Sequence, residues 1–141
     1  MRGRLLVMVP VVLLALAVAG CGGGKKEEEE LAARAACKDT AISQPPLPAD
    51  FPQPGELTYT RQQKAGSSLI VDGYWRAGID EAYKEFKDQV EEAGYKILFS
   101  EQEEHDAEIS YEASETSGQI ALRDDCTEDD TTRVHITNRP K

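Results

Sequence analysis

The sequence predicts an α+β fold: an antiparallel β-sheet of about six strands, in the order ββαββββ, with one amphipathic helix packed on one face. Three observations predict it. Ile79, Ala82, Tyr83, Phe86, Val90 and Ala93 recur at spacings of three and four, drawing one apolar stripe along an α-helix. On either side of that stretch apolar residues alternate with polar ones, the period of half-buried strands. The links between the later strands are short, which makes those strands antiparallel neighbours and leaves the helix to cover one sheet face.

Taken in order, residues 45–54 carry five prolines and cannot be helix, since each lacks an N–H and pushes its predecessor towards extended geometry. Leu47 and Phe51 are expected to plug this stiff lead-in into the domain edge; the alternative is a ligand for aromatic grooves. Leu57 to Gln63 reads as a strand and Ala65-Gly66 as a turn. Ser68 to Arg76 reads as a second strand, with Leu69, Val71, Gly73 and Trp75 on one face and Ile70, Asp72 and Tyr74 on the other. So short a link implies a hairpin. Asp80 and Glu81 suit the N-terminus of the helix, behind a modest Gly78 cap. Gly94 supplies a left-handed residue at its end, and Tyr95 can fold back on the last turn. Lys96 to Ser100 then forms a strand centred on Ile97 and Phe99, and Glu101 to Asp106 a charged connection. Ala107, Ile109, Tyr111 and Ala113 mark a fourth strand, Thr116 to Gly118 a turn, Ile120 and Leu122 a fifth strand. Val134 and Ile136, alternating with Arg133, His135 and Thr137, make the last. The single domain is thus placed at 45–141.

The first residues read differently. Arg2 and Arg4 precede an apolar run of about fifteen residues, Leu5 to Ala19, broken by Pro10 and followed by Val18-Ala19-Gly20-Cys21. Charge, apolar segment and small-residue cleavage site in that order form an export signal. The run falls short of the roughly twenty residues that span a bilayer. Its ending resembles the lipobox of bacterial lipoproteins, in which the cysteine sulfur is diacylglycerylated and the chain is cut just before it. The resemblance implies a signal peptide at 1–20, palmitate-type acylation of Cys21 as the lipid attachment, and a place on the extracytoplasmic side of the cell membrane. With the proline-rich lead-in and the glycine at the helix end, the chain is similar to small uncharacterised lipoproteins of actinobacterial type. That resemblance brings no known reaction and carries over no catalytic residue. Between Cys21 and the domain, residues 21–44 form an acidic tether. Gly22 to Gly24 is a flexible spacer, and Glu27 to Ala36 is either a short helix supported by the Glu30–Arg34 spacing or a solvated stretch.

The formal charge of −10 becomes −12 once residues 1–20, with two arginines and no acids, are removed. A nucleic-acid partner is therefore not expected, because no basic patch is present to displace counterions. Anionic headgroups would repel the domain too, so membrane attachment falls to the acyl chains, at about 0.8 kcal/mol per buried CH₂. Cys37 and Cys126 then remain as an even pair in an exported chain, and are expected to form a disulfide. No cofactor, no metal and no catalytic residue is expected. His105 lies in a glutamate-rich connection and His135 on the exposed side of the last strand, and no nucleophile or phosphate-loop motif accompanies them. The loop 124–130 holds five acids in seven residues, without the spacing of an EF-hand. It reads as a solvated turn, with calcium binding as the alternative. Tyr74, Ile70, Leu98 and Thr60 fall on the sheet face away from the helix, where the proline-rich segment is expected to cover them; the alternative is a partly open face that marks a binding surface. These readings converge on a non-catalytic, lipid-anchored module that binds or spaces an envelope protein or polymer. The rival is an accessory envelope hydrolase working through carboxylates.

Overall fold

The computed structural model describes residues 36–54 and 57–141; the lipobox, Cys21 and the first part of the acidic tether lie outside the described residues. The elements are β1 (Leu57–Ala65), β2 (Ser68–Trp75), α1 (Ile79–Glu92), β3 (Lys96–Gln102), β4 (Asp106–Glu112), β5 (Thr116–Arg123) and β6 (Thr132–Pro140). They form the expected α+β architecture, a six-stranded sheet in the order β1-β2-β6-β5-β4-β3 with every neighbouring pair antiparallel. β3 to β6 make a meander whose last strand joins the β1–β2 hairpin. Because neighbours alternate in direction, β2 and β3 run the same way, and α1 is the crossover between them.

The helix sits where its stripe requires. Ile79, Ala82, Phe86 and Val90 are buried against the sheet, and Phe86 meets the Trp75 ring edge-on at 5.4 Å. At its end Gly94 takes φ 80°, Tyr95 N–H donates to the Val90 carbonyl and Gly94 N–H to the Glu91 carbonyl. This is the Schellman closure that the Ala-Gly-Tyr order predicts. On the sheet, Val71, Ile109, Tyr111, Ile120, Leu122, Val134 and Ile136 complete the core on the same side.

Three details differ from the sequence reading. The β4–β5 turn spans residues 113–115, closed by Ala113 N–H on the Thr116 carbonyl, and Gly118 stands inside β5 rather than in a turn. A Cβ there would collide with the Tyr111 hydroxyl and the Thr137 carbonyl, so glycine is needed for the Tyr111 ring to cross its neighbour. Second, the β3–β4 register shifts between Ile97 and Phe99. This bulge turns Phe99 out of the core phase, opposite Ser110, and leaves Leu98 and Phe99 53% and 49% exposed. Third, the proline-rich lead-in covers the helix side of the sheet, not the other face. Phe51 is buried against Tyr95 and Tyr111, at ring separations of 6.2 and 5.6 Å, and Tyr95 donates to Asp50. The lead-in is not extended throughout: Leu47 N–H donates to the Pro45 carbonyl and Phe51 N–H to the Pro48 carbonyl, and the second of these turns delivers the one large ring to the aromatic cavity.

Candidate functional site

The sheet face opposite the helix carries no other described element. Alternation and register place its side chains in rows across the strands. One row runs Tyr74, Arg133, Arg123, Asp106, and the next Arg61, Asp72, His135, Ala121, Glu108, Glu101. A third holds Ile70, Thr137, Gln119, Ser110 and Phe99. Of the residues expected to line this face, Leu98 is exposed, Ile70 and Thr60 are half-buried, and Tyr74 is buried.

Tyr74 is buried because Cys37 and Cys126 pack on it. Their sulfurs stand at 2.00 Å with Cα atoms 5.4 Å apart, a disulfide pair. Cys37 N–H also donates to Glu128 Oε2 at 2.8 Å. From there the chain passes the outer edge of the sheet, where Ile42 N–H donates to the Tyr59 carbonyl, and reaches the helix side by Phe51. Asp125 lies close enough to the two cysteines for a three-residue metal group. Both sulfurs are spent in the bond, however, and Asp125 is held by Arg133 Nε at 2.7 Å.

Four of the five arginines among the described residues stand on the open face. Arginine holds a planar, weakly hydrated fork of donors that suits carboxylate or phosphate. Arg61 Nε meets Asp72 Oδ2 at 2.7 Å, Arg133 meets Asp125, and Arg123 lies 3.9 Å from Asp106. Arg139 has no carboxylate partner among the described residues; its Nε donates to Ser68 Oγ at 3.3 Å. Asp72 also takes a contact of 2.6 Å from His135 Nδ1. Burial pushes its carboxyl up, but the hydrogen bonds from His135 and Arg61 outweigh this and hold it below its usual value. Cross-strand register makes this triplet, and no spacing in the sequence announces it.

For catalysis the histidines have little around them. No Ser, Thr or Cys side chain among the described residues hydrogen-bonds to either one. His105 contacts Asp124 and Glu104 at 3.4 and 3.8 Å on the surface. The acidic loop 124–130 borders a hollow of about 480 Å³ beside Gly78 and Ile79, at the helix N-terminus, where negative charge is favourable. Asp125 and Glu128 already serve Arg133 and the Cys37 amide. Two further hollows open on the bare face, one of about 400 Å³ beside Tyr74 and Arg61 and one of about 370 Å³ between Arg139 and Leu98. No helix among the described residues is long and apolar enough to cross a membrane. Compared with protein families, curated proteins and solved structures, the chain finds no match.

Proposed function

We propose that the chain is a lipid-anchored, extracytoplasmic binding module of the cell envelope, without catalytic activity, and that its bare sheet face is the contact surface. One observation carries this reading. The sheet spends its helix and its proline-rich segment on one side, while the other keeps arginines, hydroxyls and two exposed apolar side chains in strand-fixed positions. Rigid, mixed polar and apolar surface of that kind is what a recognition interface uses. Cys21 supplies the anchor, the acyl chains hold the membrane, and the acidic chain keeps the domain off anionic headgroups.

Gentle crosslinking in detergent-solubilised membranes, followed by affinity capture of the full chain, tests the surface. Arg61→Glu together with Arg123→Glu should abolish capture of an envelope component that the unaltered chain retains. Capture that survives this reversal would overturn the assignment of the face. Mass spectrometry of the membrane fraction tests the anchor, which predicts a mature chain starting at a diacylated Cys21 and its loss from membranes in Cys21→Ala.

A further inference from the structure

The hollow between Arg139 and Leu98 is lined differently from the rest of the open face. Its floor is polar, with Ser110, Ser117 and Thr137 around the backbone of Gly118, and with Gln119, whose amide is tied down on Glu108 at 2.9 Å. One end carries Arg139, the face arginine that no described carboxylate neutralises. The nearest acid in its row, Glu112, is occupied by Lys141 at 2.6 Å. The other end carries Leu98, beside Phe99, the exposed apolar pair that the β3 bulge turns outward. Arg139 and Leu98 sit on strands three apart in the sheet, a span of about 14 Å at the usual strand spacing. At about 370 Å³ the hollow lies at the small end of ligand sites.

We propose that this hollow is a binding site for an amphiphilic aliphatic carboxylate. Its carboxylate is held by the Arg139 guanidinium and its alkyl chain lies across the hydroxyl floor to Leu98 and Phe99. Charge complementarity selects an anion at one end, since a carboxylate pairs the Arg139 guanidinium with an opposite charge, whereas its present hydrogen bond to the Ser68 hydroxyl carries charge on the donor alone. The middle of a sheet face has its backbone groups in the ladders, so a peptide laid there would find no partners for its own N–H and C=O groups. An alkyl chain needs none. Arginine at one end and exposed Leu and Phe at the other also set the ligand's polarity and approximate length.

The inference rests on the open face being a contact surface, and the test separates the two. The full chain in lipid nanodiscs is irradiated with a decanoate carrying a diazirine near its tail, and the label is mapped by mass spectrometry. Labelling should concentrate on the β3 peptide that carries Leu98 and Phe99. Excess decanoate should suppress it and acetate should not. Arg139→Gln should lower it about tenfold, as loss of a charge-assisted contact implies, and Leu98→Ser should lower it as well. Both residues are exposed, so both variants are expected to stay folded. Equal labelling by a diazirine decylamine, indifference to Arg139→Gln, or label elsewhere on the chain would overturn the site. If the site fails while capture of the envelope component still depends on Arg61 and Arg123, the broader reading of the face stands alone.

Discussion

Asp72 shows how a single carboxyl takes its properties from strands far apart in sequence. Its folded-state proton affinity is lowered, so it binds the proton less readily in the folded chain than in the unfolded one. The stabilisation is therefore complete above the unfolded value and is lost as pH falls through the folded one. Asp72→Asn should be less stable than the unaltered chain near neutrality, and the gap in urea midpoint should close below about pH 4. A gap that persists in acid would mean that packing, not charge, links Asp72 to His135 and Arg61. Phe86 belongs to the same scale but to the other side of the sheet. The ring is fully buried, so Phe86→Ala should cost about 3–5 kcal/mol, a large share of the about 5–15 kcal/mol that holds a domain. Chemical unfolding reads this directly, and a loss under about 1 kcal/mol would put the wrong face of α1 inside. Phe86 was legible in the sequence because helical periodicity is local. The Asp72 triplet was not, because it depends on which residues of β1 and β6 the register sets beside β2.

At the scale of elements, two irregularities decide what each piece presents. α1 gives way at Gly94 because the Schellman closure needs a left-handed residue there, and glycine adopts φ 80° without the strain that a Cβ brings. Gly94→Ala should cost about 1–2 kcal/mol, read as a lowered urea midpoint, although a methyl group would meet no neighbouring atom. That stop was readable from the sequence, since the apolar stripe runs out one residue before the glycine. The bulge in β3 was not. Strict alternation from Ile97 would carry Phe99 into the core, whereas the shifted register carries it outward. The difference is measurable. Phe99→Ser should change stability by less than about 1 kcal/mol, as surface substitutions do, whereas a core phenylalanine would cost several times that. An extra residue in one strand leaves no mark on composition; it is fixed by how β3 must lie on β4 and under the helix. By turning an apolar pair outward at the sheet edge, the bulge also furnishes one wall of the hollow facing Arg139.

Across the whole molecule, the segment from Cys37 to Pro54 ties the two faces of the sheet together. It begins on the open side, where Cys37 and Cys126 pack on Tyr74, and ends on the helix side with Phe51 between Tyr95 and Tyr111. The cysteine pairing was legible in the sequence because reading Cys21 as the lipid attachment leaves two cysteines to pair. The path around β1 was not, since prolines declare an extended chain without saying which face it follows. The bond links positions 89 residues apart. Cross-linking at that separation removes chain entropy from the unfolded state worth about 4–5 kcal/mol. Opening it also loosens the Cys37 amide from Glu128, whose carboxyl that backbone hydrogen bond holds below its usual value. The double variant Cys37→Ser, Cys126→Ser should therefore lose about 2–5 kcal/mol in urea unfolding, and reductant should lower the midpoint of the unaltered chain by a similar amount. The loss must come mainly through the unfolded state, so the core should survive it. The Phe51 contacts with Tyr95 and Tyr111 should persist in the double variant under native conditions, seen as nuclear Overhauser contacts between the Phe51 ring and the two tyrosine rings. A midpoint indifferent to reductant, or two reactive thiols in unfolded protein prepared without reductant and blocked at Cys21, would refute the bond. Loss of those ring contacts together with the bond would make the disulfide the organiser of the lead-in, rather than a clamp on a segment that Phe51 already seats.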